Sequence, residues 1–284
     1  DLLDAAGWAE VTTVSRRAAG LSPLEMAQDL ASKPDNDWQD LMFGPALMQN
    51  YALSVKGGGK YSTYYNSVGY TNQDGVMKGT NYQRYTLQSK QDFKKGIFQA
   101  GTNVVLTYDQ SNPLYSVIRG GMVGHTLQAI PTWEQYDENR TGGYGGLYGD
   151  VVNLTHPLGM VDDNLMKRYS DNVKIFANAY VSVELMKGLK YKLNLTPDFQ
   201  FYRYNSYEGL FDFGLAKHDI TAVTEQQTRT RNILVENLLT FDRTFGDHKV
   251  SALVGYTYQD SRYRYMQGLS LIHISEPTRR VVIS

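Results

Sequence analysis

Four aromatic residues crowd one stretch of this 284-residue chain: Trp133, Tyr136, Tyr144 and Tyr148, spread through "TWEQYDENRTGGYGGLYG". Such rings stack on sugars and other amphipathic ligands, which makes the four candidate substrate-binding residues. Packing of a loop against itself is the commoner use of rings so placed. Other chemistry is thin. The histidines (His125, His156, His218, His248 and His273) are scattered without helical i, i+4 spacing, and no HExxH is present. Asp162 and Asp163 read as a solvated loop pair rather than a calcium ligand set. In "TGGYGGLYG" Tyr148 stands where a phosphate-binding GxGxxG needs glycine, so a flexible surface loop is expected. No GxSxG occurs, and no Asp/Glu pair is singled out for glycoside hydrolysis. Catalytic, cofactor-binding and metal residues: none are expected, and the chain is not read as an enzyme.

The elements that would position those rings announce themselves by alternation. In "LKYKLNLTPDFQF", Leu189, Tyr191, Leu193, Leu195, Phe199 and Phe201 share one parity, and Lys190, Lys192, Asn194, Thr196, Asp198 and Gln200 the other. A strand sends successive side chains to opposite faces, so one face is oily and the other polar. The same signal marks seven further segments, at 49–56, 61–70, 83–93, 97–108, 173–185, 229–245 and 249–265. Their connections alternate: "GGGK", "KKG", "MKG" and "GDH" are tight, while those between are long, above all residues 109–171. Short turns at one end and long loops at the other are expected of outer-membrane barrels. Paired aromatics near both ends of a strand, such as Tyr85 and Phe93, fit an apolar band of about 25 Å with girdles at its rims. Pro197 sits on the oily face and cannot donate to a ladder, so it should mark a bulge or a rim position.

Composition agrees with this reading. Tyrosine is abundant (22 residues) beside 26 glycines, and cysteine is absent, which excludes a disulfide framework and thiolate metal sites. A net charge of -1 without basic runs gives no reason to expect nucleic acid. No window approaches the roughly 20 apolar residues of a membrane helix. Residues 1–48 look different: Ser22-Pro23-Leu24-Glu25 has capping-box form and predicts a short helix from Pro23 to about Ala31.

The block from Asp37 to Tyr85 resembles the SusC/RagA family of TonB-dependent outer-membrane transporters. The matching pieces are "DWQD", "LSVKGG", "YYNSVGYTNQDGV" and "NYQRYTL", followed by "IPTWEQYDENRTGGYGG" and "NLTHPLG". The resemblance covers most of residues 36–268. It implies a large transmembrane β-barrel with a plug, in the outer membrane of a Gram-negative bacterium. Its implied partners are outer-membrane lipid, the TonB complex (reached through an N-terminal part not in this chain), a SusD-like lipoprotein, and a glycan or peptide substrate. The fold class expected is all-β: antiparallel up-and-down strands forming part of that barrel, an open curved sheet by themselves, with a short helix near the N-terminus. The expected organisation is a loop and helical segment at 1–48, about eight strands at 49–268, and a tail at 269–284. That tail, "LSLIHISEPTRRVVIS", reads like a translated sequencing-adapter string, and the chain like an interior fragment; the alternative is a real strand over "SLIHIS". Two other functions stay open at this point: a plug-free porin or adhesin barrel, and a soluble carbohydrate-binding β enzyme.

Overall fold

The computed structural model describes residues 3–113, 121–151 and 153–272. Eight strands form one antiparallel sheet, and all eight coincide with alternating segments: β1 (Met48–Gly58), β2 (Ser62–Asp74), β3 (Asn81–Lys95), β4 (Phe98–Asn112), β5 (Met166–Met186), β6 (Leu189–Glu208), β9 (Thr221–Phe245) and β10 (His248–Ile272). Two-residue strands β7 (Phe211–Asp212) and β8 (Lys217–His218) pair with each other in the β6–β9 connection. The order β1-β2-β3-β4-β5-β6-β9-β10 is the up-and-down topology expected.

Register shows why the alternation is legible. Residues directly opposite in a ladder point to the same face. Tyr51, Tyr70, Tyr85, Tyr108, Val173, Phe201, Arg229 and Arg264 are successive cross-strand partners in one row. The strands are staggered along this row. β1 ends at Gly58, seven residues beyond Tyr51, whereas β9 ends at Phe245, sixteen beyond Arg229. A sheet must be sheared in this way before it can close with tilted strands.

Strands run further than their alternation. The connection expected over 109–171 is shorter, because β4 continues to Asn112 and β5 begins at Met166. β10 continues through Ile272, where Leu269–Ile272 pair with Thr224–Thr221. Residues 273–284, including His273 and most of the adapter-like tail, lie outside the described residues. Pro197 marks neither a bulge nor a rim. It sits inside β6, paired with Ile233 of β9, while the β5 ladder stops at Phe176–Asp198 and resumes at Ala179–Leu195 in unchanged register. The donor that proline lacks is missing on the β5 side. The bulge in this ladder falls instead at Glu184/Met186, beside the tight turn.

The helix expected from Pro23 to about Ala31 is replaced by two 3-10 turns, Glu25–Ala27 and Leu30–Ser32, and Ser22 caps neither. The N-terminal helix lies earlier: α1 (Ala5–Ala18), where Asp4 accepts a hydrogen bond from Gly7 N at 2.8 Å and Arg16 and Arg17 sit at the carbonyl end. α2 (Trp38–Met42) is capped by Asp37, and α3 (Gly121–Gln128) lies in the long loop.

Candidate functional site

The hydrophobic core is not within the sheet. It forms where the long connections meet, at one end of the strands. Trp38 and Met42 come from the N-terminal segment, Met77 from the β2–β3 loop, Trp133, Tyr144 and Leu147 from the long loop, and Phe211 and Phe213 from the β6–β9 loop. No one of these loops could bury a core alone. Together they make a folded cap, and buried apolar area is what gives it order.

At its centre is His156, fully buried, with ring centroids 4.6 Å from Trp133, 5.2 Å from Trp38, 5.0 Å from Tyr144 and 5.7 Å from Phe213. His156 Nε2 lies 3.1 Å from the Glu134 carbonyl, and Nδ1 lies 3.4 Å from Gly159 N–H. One ring nitrogen donates and the other accepts, as in a neutral imidazole. Burial lowers its pKa from 6.5 to about 4. His125, buried nearby, accepts from Thr155 N–H at 2.9 Å and is also lowered by burial. The indoles are satisfied by backbone: Trp38 Nε1 donates to Ile130 O at 2.8 Å, and Trp133 Nε1 to Gly145 O at 2.9 Å.

The cap divides the four candidate rings. Trp133 is 0% exposed and Tyr144 9%, so both are packing residues rather than open contact surfaces. Tyr144 donates its hydroxyl to Asp162 at 2.9 Å, and burial raises its pKa. Tyr136 and Tyr148 remain at the surface, 62% and 51% exposed. Tyr136 leans on Tyr144 with centroids 5.5 Å apart, and Tyr148 carries the Arg140 guanidinium 4.6 Å over its ring. Arg140 also pairs with Asp137 of its own loop at 3.0 Å and ties that loop to β7 through Asp212 at 3.2 Å. Tyr148 borders a hollow of about 260 Å³ with Lys33, Glu134 and Thr132, whose buried hydroxyl has no hydrogen-bond partner. The centre of the glycine-rich stretch beside it, Tyr144 to Leu147, is packed, while Gly143 and Gly149 face open space. A Cβ on Gly145 would lie 2.2 Å from the Glu134 carbonyl, so only glycine permits that approach.

Two unlike faces lie below the cap. The apolar face is continuous across the ladders: Leu53, Val68, Leu87, Leu106 and Ile175 are successive partners, and among the described residues no protein layer covers them. Tyr85, Tyr108, Phe199 and Tyr258 each stand ten residues from the tight-turn end of their strands. At ~3.3 Å per residue and ~40° of tilt that is about 25 Å of height, the thickness of a barrel's apolar band. The Arg231–Asp260 ion pair comes just above that level on the same parity. On the opposite face, polar side chains join across strands. Gln88 donates to Asn103 at 3.1 Å, Asn178 to Asn194 at 2.9 Å, Asn194 to Glu236 at 2.7 Å, and Tyr180 to Asp92 at 2.8 Å. Lys192 lies 4.5 Å over the Tyr180 ring, and Lys90 3.7 Å from Asp92. Among the described residues, no helix is long and apolar enough to cross a membrane, and no three potential metal ligands are grouped.

Sequence reasoning missed the cap because its members obey no period. Trp38 is legible only as part of "DWQD", and His156 is one of five histidines without helical spacing.

No protein-family profile matches the chain. TonB-dependent receptor P3 of Formosa agariphila is 29% identical over 238 residues, which is 79% of this chain and 23% of the relative. TonB-dependent receptor P26 of the same organism is 24% identical over 277 residues, 90% of this chain and 26% of the relative. TonB-dependent receptor SusC of Bacteroides thetaiotaomicron is 26% identical over 153 residues, 53% of this chain and 15% of the relative. The chain thus spans about a quarter of the length of the first two relatives. Among solved structures, the RagAB peptide transporter superposes with a TM-score of 0.71 at 18% identity, over 87% of this chain and 28% of that one. The RagAB peptide importer in its closed-closed state gives 0.69 at 17% identity, over 95% and 30%. The chain is thus similar in sequence to TonB-dependent receptors, SusC among them, and its sheet has the fold of the RagAB chains.

Proposed function

We propose that this chain is wall and outer cap of an outer-membrane active transporter, energised through TonB, that imports glycans or oligopeptides with a SusD-like lipoprotein. The observation that carries the reading is the division of one staggered sheet into an uncovered apolar face and a hydrogen-bonded polar face, surmounted by a folded cap. The apolar face meets outer-membrane lipid, and the polar face lines the passage. RagAB is described as a peptide transporter, which favours oligopeptides as the first substrates to try. Tyr136 and Tyr148 are the substrate contacts on the cap. Trp133 and Tyr144 hold those two in place.

This reading assigns no bond-making step to the chain. The polar wall offers many weak contacts, which suits passage better than retention. The test is uptake of labelled oligopeptides and oligosaccharides by cells that make the protein. Uptake should stop when a protonophore collapses the proton gradient or when TonB is removed. Uptake that continues unchanged would assign the chain to a passive porin and overturn the proposal.

A further inference from the structure

The cap hollow beside Tyr148 holds charges that the protein itself leaves unmatched. Its walls come from two distant segments, one around Glu25 and Lys33 and the other between Thr132 and Gly149. Two of the charged groups in those walls are already engaged. Arg140 is held by Asp137 and Asp212 and lies over the Tyr148 ring. A Cβ on Gly146 would lie 2.6 Å from the Arg140 Cζ and 2.8 Å from the Tyr148 hydroxyl, so this stacked pair closes one wall against bare backbone.

Three other charged groups are not engaged. Among the described residues, the side chains of Glu25, Glu134 and Lys33 make no ion pair and no hydrogen bond, although all three line the same hollow. The Thr132 hydroxyl, buried in the same wall, also has no partner. A buried hydroxyl left in that state is costly, and a ligand that reaches it removes the cost.

These groups select among ligands. One lysine against two glutamates leaves the unmatched set with an excess of one negative charge. A neutral oligosaccharide would displace water from three charges and return none. An anion would face two carboxylates. A cation with a hydrogen-bond acceptor close behind it satisfies both signs together. The amino-terminal residue of a peptide has this form: its α-ammonium suits the carboxylates, and its carbonyl suits Lys33 and the Thr132 hydroxyl. Leu24 and Met26 add apolar surface for its side chain. At about 260 Å³ the hollow is smaller than pockets that enclose a whole drug-sized ligand, roughly 300–1,000 Å³. It admits the end of a chain and leaves the rest outside.

We infer that this hollow captures the free amino terminus of an oligopeptide, with the α-ammonium between Glu25 and Glu134. The inference names the substrate class at Tyr148 and rests on the reading of Tyr148 as a substrate contact.

The test measures binding to the purified protein in detergent micelles. The probe is a leucyl-tetraalanine peptide labelled at its carboxyl end, compared with the same peptide acetylated at its amino end. The free peptide should bind about tenfold more tightly, the worth of a hydrogen bond to a charged group. Glu25→Gln with Glu134→Gln should abolish that preference and leave binding of the acetylated peptide unchanged. Both glutamates are exposed, so the fold tolerates the change. An acetylated peptide whose one ammonium is a lysine side chain should bind no better than the acetylated probe. Equal binding of the free and acetylated probes, or a preference that survives loss of both glutamates, overturns the amino-terminal site and leaves the transport reading standing. So does a lysine peptide that binds as tightly as the free probe. Binding of neither probe overturns the site together with the assignment of Tyr148 to substrate contact, and energised uptake, measured separately, still decides the transport reading.

Discussion

The imidazole of His156 stands 4.6 Å from the indole of Trp133, edge to face at 69°, inside a cap from which both are fully excluded from solvent. A neutral ring fits there, and a charged one would face Gly159 N–H with a second donor. Because the folded pKa is about 4 against an ordinary 6.5, the unfolded cap binds more protons between those values. His156 therefore contributes stability fully above pH 6.5. That contribution falls as the pH drops towards 4, by about 1.4 kcal/mol per unit at most, and changes no further below. Limited proteolysis of the cap across pH 7 to 4 should show this slope. His156→Phe should make it shallower, leaving the part that buried His125 contributes, and an unaltered slope in that variant would assign the acid sensitivity elsewhere.

Trp133 and Tyr136 are three residues apart in sequence and opposite in role. Trp133→Ala removes a fully buried indole and should destabilise the cap by about 3–5 kcal/mol. Tyr136→Ala and Tyr148→Ala, at exposed positions, should change stability by about 0.5 kcal/mol or less and weaken substrate binding instead. Hydrogen exchange of the cap and of the strands separates the effects. The tryptophan variant should lose protection in the loops while β3 and β4 keep theirs.

The strands could be read from sequence, and the cap could not, for one physical reason. A strand between two media writes that difference into every second residue, as in Leu193 and Leu195 against Lys192 and Asn194. The cap is an irregular core assembled from distant segments, so Trp38, Met77, Trp133 and Phe213 leave no period behind. Helix α1 escaped for a related reason. It buries only Ala5 and Ala9, and its middle, "VTTV", is rich in β-branched residues that favour strands. Of the four candidate rings, sequence could place all in the loop but could not separate the buried pair from the exposed pair.

Face assignment can be tested at two neighbouring positions. Leu195 belongs to the apolar face and Asn194, bonded to Glu236 at 2.7 Å, to the polar one. If hydrocarbon meets the apolar face, Leu195→Arg should cost about 2–4 kcal/mol near the mid-depth of the band. Asn194→Arg, beside Glu236 on a wetted face, should cost less than about 1 kcal/mol. The folded fraction in vesicles, followed by resistance to heat and detergent, gives both values. A reversed order would mean that the two faces have been exchanged.

Pro197 interrupts a ladder that is otherwise continuous. Ala177 and Asn178 have no backbone partners on β6, although the register on either side is the same. The Asn178 side chain spans the gap, donating at 2.9 Å to Asn194 and at 2.7 Å to Thr196. These bonds join side chains of the two strands across the gap and leave the backbone bond that the proline removes unreplaced. Pro197→Val supplies the missing N–H, keeps an apolar side chain on the apolar face, and suits a strand. The restored backbone bond should stabilise the sheet by about 0.5–1.5 kcal/mol. Loss of the proline's restraint on the unfolded chain offsets part of that gain, by about 0.4–1 kcal/mol. The net change in stability is therefore small, and local exchange is the sharper measurement. In Pro197→Val the new amide should be protected to the level of its β6 neighbours. An amide at 197 that exchanges as freely as those of the tight turns would show that the gap is set by the β5–β6 geometry and not by the proline.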